Sequence, residues 1–128
     1  MTLRPTRILL VDDAADVRDV LATLLRAEGS EVVATATGGE ALEYLAQRRF
    51  DVVLTDLGLP DIPGELVVRR AVRTVPRPRV IVVTGYSEPF VSGARAAGAD
   101  VVLIKPIDWV PLLHALRGQE SERVVVNL

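Results

Sequence analysis

Five short apolar runs alternate with five amphipathic stretches along the chain, and this alternation constrains the fold more than any other sequence feature. The runs are rich in Val, Ile and Leu, and they cover residues 7–11, 31–36, 52–54, 79–83 and 101–104. Such runs are typical of strands that are buried on both faces of a parallel sheet. The connections are short, which favours right-handed crossovers with helices on both faces. The sequence therefore predicts an α/β fold with a doubly wound, five-stranded parallel sheet of the (βα)5 type.

Local signals predict where several of the intervening helices begin and end. Thr37, with a Glu three residues later, forms a capping-box pattern at the start of the second helix. Gly29 stands where a left-handed residue is expected after the first helix. Ser87 and Asp108 are predicted to cap the fourth and fifth helices. The helices therefore fill the intervals between the strands.

Length and composition limit the class of protein. A chain of 128 residues with 49% hydrophobic and 25% charged residues is expected to form one globular domain. We place that domain at residues 1–118, followed by a tail of unknown structure at 119–128. A net charge of −2 gives no electrostatic reason to expect nucleic acid or membrane binding. The chain has no cysteine, no long apolar run and no signal peptide pattern, so we expect a cytoplasmic protein without disulfides or thiolate metal sites.

A group of arginines between the third helix and the fourth strand suggests a basic patch. Its members are Arg69, Arg70, Arg73, Arg77 and Arg79. Because the rest of the chain balances this charge, solvated surface charge is the favoured interpretation.

Polar residues follow four of the five predicted strands. Asp12 and Asp13 follow the first strand, Asp56 the third, Thr84 the fourth and Lys105 the fifth. The carboxyl ends of parallel strands share one edge of the sheet, where ligands of open α/β folds bind. Carboxylates that lie close together repel one another unless a cation shares them, and oxygen ligands without His or Cys suit Mg²⁺. A carboxylate beside Mg²⁺, a lysine and a hydroxyl is arranged as a nucleophile that forms an aspartyl-phosphate.

In this order and on these strand ends, Asp12-Asp13, Asp56, Thr84 and Lys105-Pro106 resemble the receiver domain of bacterial two-component response regulators. The resemblance covers roughly residues 7–117. It implies the flavodoxin-like strand order 2-1-3-4-5. It also implies a cis peptide bond before Pro106.

The resemblance implies a phosphoacceptor and a metal site. Asp56 would take a phosphoryl group from a phosphohistidine of a partner kinase. Asp13 and Asp56 would bind Mg²⁺ directly, together with the backbone carbonyl of Gly58. Asp12 would bind the ion through water. The chain would then catalyse only its own phosphorylation and dephosphorylation and would not otherwise be an enzyme.

The resemblance further implies a switch and its partners. Lys105 would pair with Asp56 or with the phosphate, and the hydroxyl of Thr84 would move toward the phosphoryl group. The expected partners are a sensor histidine kinase or a histidine phosphotransfer protein, and an output protein or a second copy. The expected output surface is formed by the fourth helix, the fifth strand and the fifth helix, and includes Val91, Arg95 and Trp109.

One departure from the family pattern bears on the switch, and two residues beside the site bear on the lifetime of the phosphate. The family places an aromatic residue three positions before the lysine, and here that residue is Val102, so the signal is expected to use the loop after Thr84, including Tyr86. Gly58 offers no side chain to orient an attacking water, and Tyr86 is large enough to shield the phosphoryl group. We therefore expect slow self-dephosphorylation.

Two other functions remain as alternatives at the level of sequence. A receiver-like interaction module that is never phosphorylated is compatible with Val102. An aspartyl-phosphate hydrolase of the haloacid dehalogenase type resembles the fold, but its nucleophile follows the first strand in an Asp-x-Asp arrangement. Here the first strand ends in Asp12-Asp13-Ala14, which does not match that arrangement.

Overall fold

Five strands and five helices alternate through residues 5–118, which are the residues that the computed structural model describes. The strands are β1 (Arg7–Val11), β2 (Glu31–Thr35), β3 (Val52–Thr55), β4 (Arg79–Thr84) and β5 (Val101–Ile104). The helices are α1 (Ala15–Ala27), α2 (Gly38–Gln47), α3 (Gly64–Ala71), α4 (Phe90–Ala97) and α5 (Trp109–Leu116). The predicted tail at 119–128 lies outside the described residues.

The strands form one sheet in the order β2-β1-β3-β4-β5, and every neighbouring pair is parallel. This confirms the predicted fold class and strand order. The carboxyl ends of all five strands therefore lie at one edge of the sheet, which we call the carboxyl edge. The C-terminal ends of the helices lie at the opposite, amino edge. Among the helices of residues 5–118, none combines the length and hydropathy that crossing a membrane requires.

The sheet is buried on both faces, as the apolar runs predicted. Successive residues of β1 show this most clearly, because Leu9 and Val11 belong to one core cluster and Ile8 and Leu10 to another. The first cluster includes residues of α2, α3 and α4, and the second includes residues of α1 and α5. All four residues of β3 are buried, which makes β3 a rigid central support for the residue that follows it.

The predicted helix ends are partly confirmed. Thr37 caps α2 by accepting a hydrogen bond from the backbone N–H of Glu40 at 3.1 Å, and Gly29 has the expected positive φ of 94°. Asp108 occupies the N-cap position of α5, but its side chain makes no capping hydrogen bond.

The prediction that Ser87 caps α4 is wrong. The helix begins at Phe90, and Pro89 occupies the N-cap position. The carboxylate of Glu88 instead accepts hydrogen bonds from the backbone N–H and the hydroxyl of Ser92, at 3.0 and 2.7 Å. These bonds lower the pKa of Glu88. The longer Glu side chain reaches into the first turn of the helix, whereas the Ser87 carbonyl closes a turn by accepting the Phe90 N–H.

Candidate functional site

Three carboxylates meet at the carboxyl edge of the sheet. Asp12 and Asp13 follow β1 and Asp56 follows β3, and these two strands are neighbours in the sheet. One oxygen from each carboxylate lies within 4.8 Å of the other two. Asp12 is 3% exposed and Asp56 is 9% exposed, whereas Asp13 faces solvent. The site therefore has two buried carboxylates and one that is exposed at its entrance.

Lys105 brings a positive charge from the end of β5 into this cluster. Its Nζ donates to Oδ2 of Asp56 at 2.7 Å and to Oδ2 of Asp12 at 3.2 Å. Burial by itself lowers the pKa of Lys105, but the hydrogen bond and negative charge of Asp56, together with those of Asp12, outweigh it and raise the pKa. The ammonium group therefore stays protonated and offsets the charge of the two buried carboxylates. The Lys105–Pro106 peptide bond is cis, as the resemblance implied.

The side chain of Asp56 is held in one orientation by donors on both of its oxygens. While Oδ2 accepts from Lys105, Oδ1 accepts from the backbone N–H groups of Leu57 at 2.6 Å and Gly58 at 3.3 Å. Asp12 is held in the same way, since its Oδ1 accepts from the N–H of Ala14 at 2.9 Å. Fixed carboxylate oxygens of this kind are prepared for a ligand without further rearrangement.

The loop after Asp56 (residues 57–63), which we call the β3–α3 loop, is closely packed. Gly58 and Pro63 form an isolated β-bridge, and the N–H of Gly64 donates to the carbonyl of Leu57 at 2.9 Å. A Cβ at Gly64 would stand 2.1 Å from the carbonyl oxygen of Asp56. Residue 64 must therefore be glycine for the loop to close against the backbone of the site.

Asp61 ties the β3–α3 loop to the start of α2. Its carboxylate accepts from the N–H of Gly38 at 2.9 Å and from the N–H of Gly39 at 2.8 Å. The hydrogen bond from Gly39 is the largest of the effects that together lower the pKa of Asp61. The sequence analysis missed this role, because the two partners are more than twenty residues away and a Pro-Asp pair is an ordinary turn signal.

Arg18 is a second residue that the sequence analysis missed. Its Nη1 donates to the backbone carbonyl of Asp12 at 2.8 Å. The guanidinium group therefore lies beside the acidic cluster and ties α1 to the end of β1. Its position on α1, six residues after Asp12, was the one available signal.

Thr84 is fully buried at the end of β4, and its Oγ1 accepts from the N–H of Tyr86 at 3.0 Å. The ring of Tyr86 packs against Phe90 with a centroid separation of 4.9 Å. The hydroxyl of Tyr86 lies 2.7 Å from the position that a Cβ on Gly58 would take. Thr84 is thereby linked to a tyrosine that covers the residue two positions after Asp56.

Val102 is 1% exposed and packs in the core with Val91 and Ala94 of α4. The burial of Val91, which is 8% exposed, corrects its predicted place on the output surface. Trp109 is half-buried and packs against the other core cluster, and Arg95 is exposed. The large exposed apolar residues of α4, β5 and α5 are Phe90, Ile104 and Val110.

The donor set of the acidic cluster fits a hard divalent cation. It consists of carboxylate oxygens from Asp12, Asp13 and Asp56 that lie close enough to share one ion, and oxygen ligands suit Mg²⁺. The exposed Asp13 leaves the site open to water and to an entering ligand. The backbone of Gly58 lies in the adjoining loop.

Comparison with known proteins agrees with this geometry. The response regulator receiver domain family matches residues 8–117. A response regulator receiver protein of Anaeromyxobacter, Anae109_2439, is 36% identical over 102 residues, which are 79% of this chain and 43% of that protein. The chain spans about a quarter to a half of the length of the curated relatives that it matches.

Solved structures resemble the chain over nearly its whole length. A CheY-like receiver domain protein from Methanospirillum hungatei has a TM-score of 0.85 at 34% identity, covering 90% of this chain and 93% of that one. The response regulator TrrA of Thermotoga maritima, in complex with Mg²⁺ and beryllium fluoride, has a TM-score of 0.80 at 28% identity, covering 90% of this chain and 99% of that one.

Proposed function

The chain belongs to the response regulator receiver domain family, and on that premise we propose that Asp56 is its phosphoacceptor. The observation that carries this proposal is the position of the Asp56 carboxylate, which lies within 2.7 Å of the Lys105 ammonium and beside Asp12 and Asp13 at the carboxyl edge. This combination of a nucleophilic carboxylate, a fixed cation and further carboxylates suits phosphoryl transfer.

The proposed reaction transfers a phosphoryl group from a phosphohistidine of a partner protein. A carboxylate oxygen of Asp56 forms a bond to phosphorus, the phosphorus–nitrogen bond breaks, and its electron pair leaves with the imidazole. The carboxylate has no proton to lose, so the reaction needs no base. Lys105, which lies 2.7 Å from Oδ2 of Asp56, is placed to pair with an oxygen of the transferred group.

The proposed metal ion is Mg²⁺, with Asp13 and Asp56 as direct ligands, the Gly58 carbonyl as a third and Asp12 acting through water. The cluster of carboxylate oxygens supports this ligand set. When bound, the ion neutralises negative charge on the phosphoryl oxygens. Lys105 remains as the cation fixed by the chain, and it also prevents the buried pair from repelling the incoming phosphate.

The proposed role is a switch that signals by binding. The phosphohistidine would come from a sensor histidine kinase or a histidine phosphotransfer protein. Phosphorylation would change the affinity for an output partner or a second copy through α4, β5 and α5, where Phe90, Ile104 and Val110 are exposed. We also propose residues 1–118 as the domain, which is supported by the family match over residues 8–117.

The direct test is phosphorylation by acetyl phosphate in the presence of Mg²⁺, followed by intact mass measurement. We expect a gain of one phosphoryl group, about 80 Da, in the wild-type protein. We expect none in Asp56→Asn and none when Mg²⁺ is withheld.

The matched control is Asp16→Asn, which removes a carboxylate from the first turn of α1, outside the cluster. It should gain the same mass as the wild-type protein. A wild-type protein that gains no mass, and whose melting temperature does not respond to Mg²⁺, would contradict the proposal and would favour the alternative of an unphosphorylated interaction module.

A further inference from the structure

A second concave site lies at the amino edge of the sheet, between the C-terminal ends of α2 and α3. This cavity of about 460 Å³ is lined by Arg48, Arg49, Arg70 and Arg73. The other seven lining residues, Val75 among them, are uncharged. No carboxylate is among these lining residues. We call this cavity the arginine pocket, and it shares no residue with the acidic cluster.

The four arginines of the pocket differ from the other arginines of residues 5–118. Seven of the others donate a hydrogen bond to a named partner, and they are Arg7, Arg18, Arg26, Arg69, Arg77, Arg79 and Arg117. Arg95 lies within the electrostatic range of the Glu88 carboxylate.

The guanidinium groups of the pocket arginines have no hydrogen-bonded or ion-paired partner within residues 5–118, and all four side chains are exposed. Arg48 alone has another contact, with its guanidinium carbon 5.3 Å from the centre of the Tyr44 ring. The arginines without polar partners are therefore those that line the pocket.

Attraction to the helix ends is the competing explanation. Arg48 is the C-cap residue of α2, and Arg70 lies in the last turn of α3, where the partial negative charge of the helix favours cations. An arginine held in this way donates to a carbonyl, as Arg77 does to Gly98 at 2.8 Å. The guanidinium groups of the pocket arginines donate to no carbonyl of the described residues, so this explanation does not account for their convergence.

The structure divides the arginine group of the sequence, most of whose members are exposed as predicted. Arg69 and Arg77 are paired with carboxylates, and Arg79 donates to the carbonyl of Ala115. Arg70 and Arg73 are instead joined by Arg48 and Arg49 from a distant segment. Four like charges around one cavity repel one another unless an anion shares them.

We propose that the arginine pocket binds a small ligand that carries two phosphate groups, of the nucleoside diphosphate class. The planar fork of arginine matches phosphate oxygens in paired hydrogen bonds. The two sequence segments supply two arginines each, which suits two phosphates. The cavity volume lies within the range of small-molecule sites, and the neighbouring Val75, which is 89% exposed, offers apolar surface to the part of the ligand that carries no charge.

The test is calorimetric titration of the full chain with inorganic pyrophosphate, ADP and adenosine, in EDTA and at constant ionic strength. We expect saturable one-site binding of pyrophosphate and ADP and none of adenosine. The variant Arg49→Ala/Arg73→Ala should bind pyrophosphate about tenfold more weakly or worse, because it loses hydrogen bonds between charged groups. The control Arg69→Ala/Arg117→Ala removes two paired arginines, and therefore the same net charge, and should keep the wild-type affinity.

Four results would overturn the proposal. The first is the absence of saturable binding of pyrophosphate and ADP by the wild-type protein. The second is an equal loss of affinity in both double variants, which would indicate a general effect of charge. The third is loss of binding in Lys105→Met, which would move the ligand to the carboxyl edge. Binding of a glutamate-rich peptide without binding of pyrophosphate would also contradict the proposal and would indicate an acidic protein partner.

Discussion

The two loops that border the acidic cluster differ in how firmly they are held. The β3–α3 loop is fixed by a β-bridge between Gly58 and Pro63 and by two hydrogen bonds from α2 to Asp61. The β4–α4 loop (residues 85–89) is held by the hydrogen bond between Tyr86 and Thr84, by the turn that Ser87 closes with Phe90, and by the bonds from Ser92 to the Glu88 carboxylate. These bonds join the loop only to β4 and α4, the two elements that flank it. All five of its residues are exposed.

This difference matches the tasks that we propose for the two loops. A backbone carbonyl that binds a metal ion must be held in place before the ion arrives, and the β3–α3 loop has the contacts to hold Gly58. A segment that reports phosphorylation must change position with only a small change in free energy. A loop with few buried contacts meets this condition. A phosphoryl group that attracts the Thr84 hydroxyl would remove the acceptor of the Tyr86 N–H and so release the β4–α4 loop.

The same substitution at the end of the β3–α3 loop, where α3 begins, and within the β4–α4 loop should give the largest contrast. A Cβ at Gly64 would stand 2.1 Å from the Asp56 carbonyl oxygen and 2.6 Å from Cα of Leu57, which are backbone atoms. We expect Gly64→Ala to lower the free energy of unfolding by about 3 kcal/mol or to prevent folding. A Cβ at Gly85 would meet nothing within 4 Å. Gly85→Ala should therefore change the free energy of unfolding by no more than about 0.5 kcal/mol. Urea denaturation measures the free energy of unfolding of both variants. An equal loss of stability in the two would contradict the comparison.

The second prediction concerns the response of the β4–α4 loop. With Mg²⁺ and beryllium fluoride as a substitute for the phosphoryl group, we expect the amide NMR signals of residues 85–90 to shift more than those of 59–63. Thr84→Ala should abolish the shifts at 85–90, because the hydroxyl that links the site to Tyr86 is lost, while Thr84→Ser should retain them. Shifts of similar size in both loops would remove the proposed division between them.

The third prediction concerns the lifetime of the phosphate. The Tyr86 hydroxyl covers Gly58, so we expect the purified phosphoprotein to lose its phosphate slowly. Tyr86→Ala should increase the rate of dephosphorylation several-fold, because water then reaches the site. Phe90→Ala is the matched control, since it removes the packing partner of Tyr86 but not the covering ring. A wild-type half-life of seconds would refute the shielding role, as would an unchanged rate in Tyr86→Ala.

The smallest expected effect is the pH dependence contributed by Asp61. Its hydrogen bonds with Gly39 and Gly38 lower its pKa below the ordinary value of 3.8 in the folded state. The stability that it contributes is therefore complete above that value and is lost as the pH falls through the lower pKa of the folded state. Urea denaturation of Asp61→Asn should show a deficit at neutral pH that shrinks in acid. Glu43→Gln, an exposed change on α2, should show no such trend, and a deficit of Asp61→Asn that grows in acid would contradict the assignment.

The sequence by itself determined the fold and the positions of the chemical groups. Strand and helix periodicity is a local property of the sequence. A residue that directly follows a buried parallel strand must lie at the carboxyl edge. Asp12, Asp56 and Lys105 could therefore be placed together before their distances were known. The glycine at residue 29 was predicted correctly for the same reason, because a left-handed helix end depends on its immediate neighbours.

The tertiary structure alone decided which distant side chains meet. Three contacts join segments that are more than twenty residues apart in sequence. Asp61 accepts hydrogen bonds from the start of α2, Tyr86 covers Gly58, and Arg49 and Arg73 line one pocket. The error at Ser87 has a local cause, because the longer Glu88 side chain reaches Ser92, four residues on, and takes the place of a serine cap. Contacts between distant segments depend instead on how helices pack on the sheet to within an ångström or so, and local sequence patterns carry no information at that precision.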